Sequence, residues 1–133
     1  MEMKEQNLSS GLEDYIETIY LAQNVGVSLK AAELARRLNI SRASVSEALS
    51  KLISKKLIEY KSYGNISLTK LGEAEAKKVY TKHSIIKNFF ETVLNIESDS
   101  ASKNACKIEH IISEDVLNAM KALMNSNDMD RIK

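Results

Sequence analysis

The sequence predicts a mostly α-helical protein whose helices are interrupted once, by a β-hairpin near the middle of the chain. Three observations predict this fold class. The 133 residues include no proline and only four glycines, so helices can continue for many turns. Apolar residues recur at helical spacing over most of the chain. This spacing is lost after Lys56, where a turn containing glycine separates two short apolar runs.

Two helices are predicted before residue 40, each preceded by a serine that can accept a hydrogen bond from the first helical turn. Ser9 or Ser10 is expected to cap the first helix, which starts near Leu12. Ser28 is expected to cap a shorter second helix that begins at Leu29 and ends at Leu38. Each segment carries its apolar residues on one face, as expected for a helix that packs against a core.

A third helix and the hairpin follow directly. Ser41 is expected to cap this helix. Its apolar face comprises Val45, Ala48, Leu49, Leu52 and Ile53. The hairpin is predicted to pair residues 57–60 with residues 66–68, and to place Gly64 and Asn65 in the turn.

Three more helices are predicted after the hairpin. Thr69 is expected to cap a long fourth helix, a fifth runs from about residue 101 to residue 112, and Ser113 is expected to cap a sixth. The sixth helix has an apolar stripe that comprises Val116, Leu117, Met120, Leu123 and Met124. This stripe is too apolar to face water on a small domain, which predicts a two-fold symmetric homodimer. The predicted domains are residues 1–70 and residues 71–133.

The order of helix, tight turn, capped helix and hairpin is that of a winged helix-turn-helix, whose second helix lies in the major groove of DNA. That helix begins SRASVSEALSKL, with a small and polar leading edge. Arg42 can bind guanine or a phosphate, and Ala43 can contact a thymine methyl group. Residues 30–61 carry eight bases and three acids, which also favours an anionic partner. We predict that double-stranded DNA contacts Lys30, Arg36, Arg37, Ser41, Arg42, Ala43, Ser44, Ser46, Glu47, Lys51, Lys61 and Tyr63.

The stretch ACKIEHIIS contains the only cysteine of the chain and one of its two histidines. Cys106, Glu109 and His110 would share one side of the predicted fifth helix, and thiolate, carboxylate and imidazole are common ligands of transition metals. Ordinary packing of the three residues fits the stretch equally well. Further candidate ligands are Asp14, Glu17 and His83. The many oxygen ligands in this set disfavour a closed structural zinc site.

Five segments, LEDYIETIY, SRASVSEALSKL, NISLTKLGEAEA, YTKH and CKIEHIIS, occur in an order that resembles the diphtheria toxin repressor and manganese transport regulator family, in its short two-domain form. The resemblance covers roughly residues 10–124. It implies a homodimeric, metal-dependent repressor in which a winged helix-turn-helix domain is followed by an all-helical dimerisation and metal-binding domain. It also implies that the cofactor is Fe(II) or Mn(II). The implied metal ligands are Asp14, Glu17, His83, Cys106, Glu109 and His110.

The resemblance to the two metal types is mixed. Iron-type members have a cysteine at the position of Cys106 but a methionine at that of Asp14. Manganese-type members match Asp14 but have a carboxylate in place of Cys106. Lys87 and Ser102 replace the acid and the imidazole that a second metal site of iron-type members requires, so we expect that site to be absent.

We therefore expect a repressor of iron or manganese homeostasis genes, in which a divalent metal joins the DNA-binding domain to the helical domain. Its operator would be near-palindromic, it would act on no small-molecule substrate, and it would not be an enzyme. One alternative is a winged-helix regulator without metal control, and another is a metalloenzyme with Glu109 as general base. No apolar run approaches the ~20 residues that a membrane span needs, and no signal peptide is evident, so we expect a cytoplasmic protein without membrane contact.

Overall fold

The computed structural model describes residues 8–125. Its elements, in chain order, are α1 (Ser10–Asn24), α2 (Ala31–Leu38), α3 (Arg42–Ser54), β1 (Ile58–Tyr60), β2 (Ile66–Leu68), α4 (Lys70–Thr92), α5 (Ser98–Ile108) and α6 (Glu114–Asn125). The predicted fold class, mostly helical with a two-stranded wing after the third helix, is confirmed. No helix within residues 8–125 has both the length and the apolar character to cross a membrane.

The chain forms two compact units, and the boundary between them follows Lys77, inside α4. We call the unit up to Lys77 the head and the unit from Lys78 the helical unit. The core of the head is built from the apolar faces of α1, α2 and α3 and from the hairpin. Its largest fully buried side chains are Ile16, Ile19, Leu29, Leu34, Val45, Leu49 and Leu52.

Side-chain caps start α1, α3 and α4 as predicted. Ser9 Oγ accepts from Leu12 N at 3.2 Å, and Ser41 Oγ accepts from Ser44 N at 3.1 Å. Thr69 Oγ1 accepts in the same way from the first turn of α4. Each cap satisfies a backbone N–H that the helix itself leaves without a partner.

The predicted start of α2 is wrong. The helix begins at Ala31, and its N-cap is Lys30, whose side chain makes no capping hydrogen bond. Leu29 is not helical because its carbonyl accepts from Ile66 N at 2.8 Å, which forms an isolated β-bridge with the wing. Ser28 therefore precedes a bridging residue and does not cap the helix.

The predicted pairing of the wing is confirmed, and Gly64 and Asn65 lie in the turn as predicted. The strands are antiparallel, with Tyr60 opposite Ile66. Tyr63, at φ 60° and ψ 28°, and Gly64, at φ 77°, occupy the two left-handed positions. Asn65 N donates to Ser62 O at 3.2 Å, which closes a turn of type I′.

The outer edge of β2 is covered by two groups, one from the end of α1 and one from the connector before α2. Leu68 N donates to Gln23 Oε1 at 2.9 Å. Ile66 N donates to the Leu29 carbonyl described above. Both N–H groups that point away from β1 thus have partners.

The start of α4 lies against the backbone before β1. Thr69 N donates to Leu57 O at 3.0 Å, and Thr69 Oγ1 donates to Lys56 O at 2.7 Å. Gly72 lies so close to this segment that an added Cβ would stand 1.9 Å from Leu57 O. Only glycine fits here without a backbone shift.

The helical unit has a smaller core. Its buried cluster comprises Ile86, Ala105 and Leu117, and the partly buried residues packed against it are Ile85, Phe90, Ile108, Ile112 and Met120. Of the apolar stripe predicted on α6, Leu117 is buried, whereas Val116 is 47% exposed. Ile53 of α3, in the head, was also predicted to lie on a buried face but is 40% exposed.

The predicted bounds of α5 are wrong at both ends. The helix begins at Ser98 because the Glu97 carboxylate accepts from Ser100 N at 3.3 Å and caps it. It ends at Ile108, and Glu109 is its C-cap, with φ −58° and ψ −26°. His110 therefore lies in the turn that follows α5 and not on the helix itself.

Candidate metal centre and DNA-binding surface

Three predicted metal ligands converge in the helical unit. His83 comes from α4, Cys106 from α5, and Glu109 from the end of α5. One ligand atom from each of the three lies within 4.8 Å of the other two. The sequence prediction for these three residues thus corresponds to a real cluster, which combines a nitrogen, a sulfur and an oxygen donor.

The Glu109 carboxylate is the centre of this cluster and is only 1% exposed. Its Oε1 lies 2.8 Å from His83 Nδ1 in a hydrogen bond. Its Oε2 lies 3.5 Å from His110 Nε2, but has no hydrogen-bond partner among the described residues. A buried carboxylate oxygen without a hydrogen bond is costly, and a bound cation is a common remedy. The donor set therefore fits a divalent transition metal for two reasons. One is the carboxylate oxygen without a hydrogen bond, and the other is the combination of nitrogen, sulfur and oxygen donors.

Cys106 is exposed, so the cluster is accessible from its sulfur side. Ser102, one turn earlier on α5, places its Oγ 3.5 Å from His83 Nε2. This position holds the His83 ring between Ser102 and Glu109. Sequence reasoning did not include Ser102 in the site, although its spacing of four residues from Cys106 indicates that both lie on one face of α5.

The remaining two predicted ligands belong to the head. Asp14 and Glu17 lie on α1, where Asp14 is half-buried and Glu17 is 8% exposed. Burial of an acidic side chain in the head is unusual, since Glu17 is the one charged residue among the buried residues described there. The six predicted ligands are thus divided between the units, two in the head and four in the helical unit.

A groove of about 390 Å³ in the helical unit is lined by His83, Lys87 and Glu91 among others. Lys87 Nζ lies 3.1 Å from a Glu91 carboxylate oxygen. Hydrogen bonds from Lys87 and Ser98 hold the pKa of Glu91 below its ordinary value. A positive charge thus stands on α4 one turn after His83.

All twelve residues that were predicted to contact DNA are exposed in the head. A groove of about 460 Å³ at the start of α3 is lined by Arg36, Ser41 and Arg42, together with neighbouring backbone. Two guanidinium groups therefore border the N-terminus of the predicted recognition helix, where backbone N–H groups also favour an anion.

Several of these side chains already have partners. Ser41 Oγ donates to Ser44 Oγ at 3.0 Å, so both hydroxyl groups take part in the cap of α3. Arg36 pairs with Glu33 on the same helix. Lys61 Nζ lies 3.2 Å from Glu59 on the wing, which offsets part of the wing's positive charge.

Comparison with known proteins finds a family profile for the region of each of these two sites. Two family profiles match the chain: the N-terminal DNA-binding domain of iron-dependent repressors over residues 7–66, and the metal-binding and dimerisation domain of iron-dependent repressors over residues 69–131. An uncharacterised HTH-type transcriptional regulator of Methanocaldococcus jannaschii is 38% identical, over 88% of this chain and 94% of its own length. The chain belongs to the iron-dependent repressor family.

Longer members of the iron-dependent repressor family match the same region. The iron-dependent repressor IdeR of Mycobacterium tuberculosis is 30% identical over 86% of this chain and 50% of its own length. The structure of the manganese regulator SloR has a TM-score of 0.76 and 27% identity, and covers 86% of this chain and 53% of that one. The chain thus spans about half the length of these two relatives.

Membership establishes the general function. The protein is a metal-dependent DNA-binding transcriptional repressor with the DNA-binding and dimerisation domains of its family, and not an enzyme. The metalloenzyme hypothesis and the hypothesis of a regulator without metal control are therefore wrong.

Proposed function

We propose that the repressor is activated by one divalent metal site with ligands from both units. Asp14 and Glu17 of the head would join His83, Cys106, Glu109 and His110 of the helical unit. The observation that carries the proposal is the buried Glu109 carboxylate, with one oxygen on His83 and the other without a hydrogen bond among the described residues. The bound metal would supply a positive charge and orient these ligands.

The residues of the helical unit prepare this site. Ser102 and Glu109 approach the two nitrogens of the His83 ring at 3.5 Å and 2.8 Å, which fixes the ring plane. The ligands of the helical unit would provide most of the metal affinity. Asp14 and Glu17 would provide the coupling to DNA, because only they tie metal binding to the head.

In this proposal the metal is Fe(II) or Mn(II). The repressor would act in the cytoplasm on genes of iron or manganese homeostasis. The soft sulfur of Cys106 favours Fe(II) over Mn(II), while the carboxylate of Asp14 favours Mn(II). We propose that Cys106 decides for Fe(II). Replacing Cys106 by Glu should shift activation towards Mn(II), whereas stronger activation of the natural protein by Mn(II) at equal free concentration would contradict the choice.

We also propose that the repressor binds a near-palindromic operator as a two-fold symmetric homodimer. Val116 and Ile111 of the helical unit are 47% and 81% exposed, although both are apolar. Such residues fit a self-complementary interface. In the dimer, the two α3 helices would stand roughly 34 Å apart, one turn of DNA, or a multiple of that distance.

An anaerobic titration of operator binding with Fe(II) and Mn(II) tests the metal proposal. Asp14→Ala and Glu17→Ala should remain folded, bind DNA weakly and lose most of the metal-induced gain, which is typically 5–150-fold. Glu13→Ala, the same change beside Asp14 on α1, is the control and should respond as the natural protein does. Operator DNA should tighten metal binding to the natural protein by the same factor. A full response in both Asp14→Ala and Glu17→Ala would refute the coupling.

A further inference from the structure

The tip of the wing carries a residue in a conformation that its side chain disfavours. Tyr63 has φ 60° and ψ 28°, at the first left-handed position of the type I′ turn. Asn, Asp and Gly prefer this position, because a bulky side chain there crowds the adjacent carbonyl. Gly64 fills the second left-handed position at φ 77°. The strain in the turn is therefore confined to Tyr63.

Packing within the head does not compensate for this strain. The Tyr63 side chain is 88% exposed, more than any other large apolar or aromatic residue among those described. The strands beneath it are paired in register, and the turn is closed by the bond from Asn65 N to Ser62 O, while Asn65 O also accepts from Lys61 N at 2.7 Å. A strained residue with an exposed aromatic side chain, at the tip of a hydrogen-bonded hairpin, indicates a functional contact.

The charge around the tip indicates that this contact is not mainly ionic. The wing is not a strongly cationic surface, because Glu59 pairs with Lys61 at 3.2 Å. A phenol offers a neutral O–H donor, and tyrosine is among the residues that bind DNA phosphates. We infer that the Tyr63 hydroxyl donates to a backbone phosphate of bound DNA, and that this contact keeps tyrosine in a position that favours asparagine.

The inference rests on the proposed DNA-binding surface and makes two linked expectations. Tyr63→Asn should raise the melting temperature by a few degrees, because asparagine tolerates the left-handed conformation. The same change should lower operator affinity about tenfold, the usual worth of a hydrogen bond to a charged group. Tyr63→Phe keeps the ring and the strain, so it should melt as the natural protein does and lose a similar affinity.

Salt dependence separates this contact from a cationic one. Because no charge is lost, both Tyr63 variants should keep the slope of log affinity against log salt. Lys51→Ala, by contrast, should reduce that slope by about one. Tyr60→Asn, the same change in the extended strand β1, is the control for stability and should lower the melting temperature.

The inference is wrong if Tyr63→Phe binds the operator as tightly as the natural protein. It is also wrong if the slope falls in the Tyr63 variants. Arg42→Ala, measured in parallel, reports on the DNA-binding surface as a whole. If Arg42→Ala loses affinity while Tyr63→Phe does not, only the role of Tyr63 fails; if neither loses affinity, the surface assignment fails as well.

Discussion

The largest fully buried side chains of the head are all apolar, whereas those of the helical unit, within the described residues, are Ile86 and Glu109. The head buries a continuous cluster from three helices and the wing. The buried cluster of the helical unit has three residues, two of which are Ala105 and Leu117. The head thus has a large apolar core, whereas the helical unit has a smaller one and also fully buries a carboxylate.

This difference indicates how folding stability is divided between the head and the helical unit. Each large apolar side chain that is fully buried contributes about 1.5–3 kcal/mol, so the head has an ample source of folding free energy. A buried carboxylate oxygen without a hydrogen bond costs free energy, and Glu109 Oε2 is such an atom among the described residues. We therefore expect the stability of the helical unit, much more than that of the head, to depend on metal and on dimerisation.

The largest effect is expected where the head is most tightly packed. Gly72→Ala should lower the free energy of unfolding by about 3 kcal/mol, because its Cβ would overlap the Leu57 carbonyl and backbone cannot yield cheaply. Gly11→Ala, in the open first turn of α1, is the matched control and should stabilise by up to about 1 kcal/mol. Urea unfolding measures both; equal effects of the two changes would show that the close approach at Gly72 does not limit the head.

The next effect concerns the helical unit and should have a different dependence on metal. Mn(II) at a hundred times its dissociation constant should stabilise the natural protein by about 2.7 kcal/mol. Glu109→Gln should abolish this gain, because a neutral amide is a poor replacement for a carboxylate ligand, although its side-chain oxygen can still accept from His83 Nδ1. Glu114→Gln, an exposed acid on α6, should keep the gain. Thermal melts with and without Mn(II) make the comparison, and an unchanged metal response in Glu109→Gln would remove Glu109 from the site.

A third prediction tests whether DNA contact by the head and metal binding can be altered separately. Arg42→Ala should weaken operator binding about tenfold and relax specificity at one base pair, if Arg42 reads a base. Its metal-dependent stabilisation should not change, because Arg42 lies on α3, whereas the proposed ligands in the head lie on α1. Operator titrations and metal-dependent melts on the same sample give both values. Loss of the metal response in Arg42→Ala would show that DNA contact and metal binding are not carried by separate residues.

The smallest expected effect is a pH dependence in the helical unit. The pKa of Glu91 is lowered by hydrogen bonds from Lys87 and Ser98, so its ionised form favours the folded state. This contribution is present above the ordinary pKa of glutamate and is lost as the pH falls through the lowered value. Glu91→Gln should be slightly less stable near neutral pH, and the difference should vanish once the pH has fallen below the lowered pKa of Glu91. A stability difference that grows in acid would contradict this sign.

Much of the head was predictable because its signals are local. A serine or threonine before an apolar run identified the starts of α1, α3 and α4, and each cap appears in the structure. The start of α2 was not predictable in this way. Leu29 is taken out of the helix by a partner 37 residues later, Ile66, and no local pattern reports such a bridge.

The residue types of the candidate site could be predicted by chemistry, but their arrangement could not. The rarity of cysteine and histidine identified Cys106 and His83, and Glu109 drew attention because it lies between Cys106 and His110. His83, Cys106 and Glu109 do lie together. That Glu109 is the buried member and Cys106 the exposed one depends on where α5 ends, and Glu97 shifted that helix by capping it earlier than expected. The approach of Ser102 to His83 depends on packing between α4 and α5, which spacing along one helix cannot supply.

The covered edge of β2 has a consequence for the behaviour of the protein at high concentration. A two-stranded hairpin normally offers a row of open N–H groups on which strands from other molecules can assemble into aggregates. Here Gln23 and Leu29 close that row on β2. On the β2 side, therefore, the wing offers a neighbouring molecule no open N–H group from which an intermolecular sheet could start.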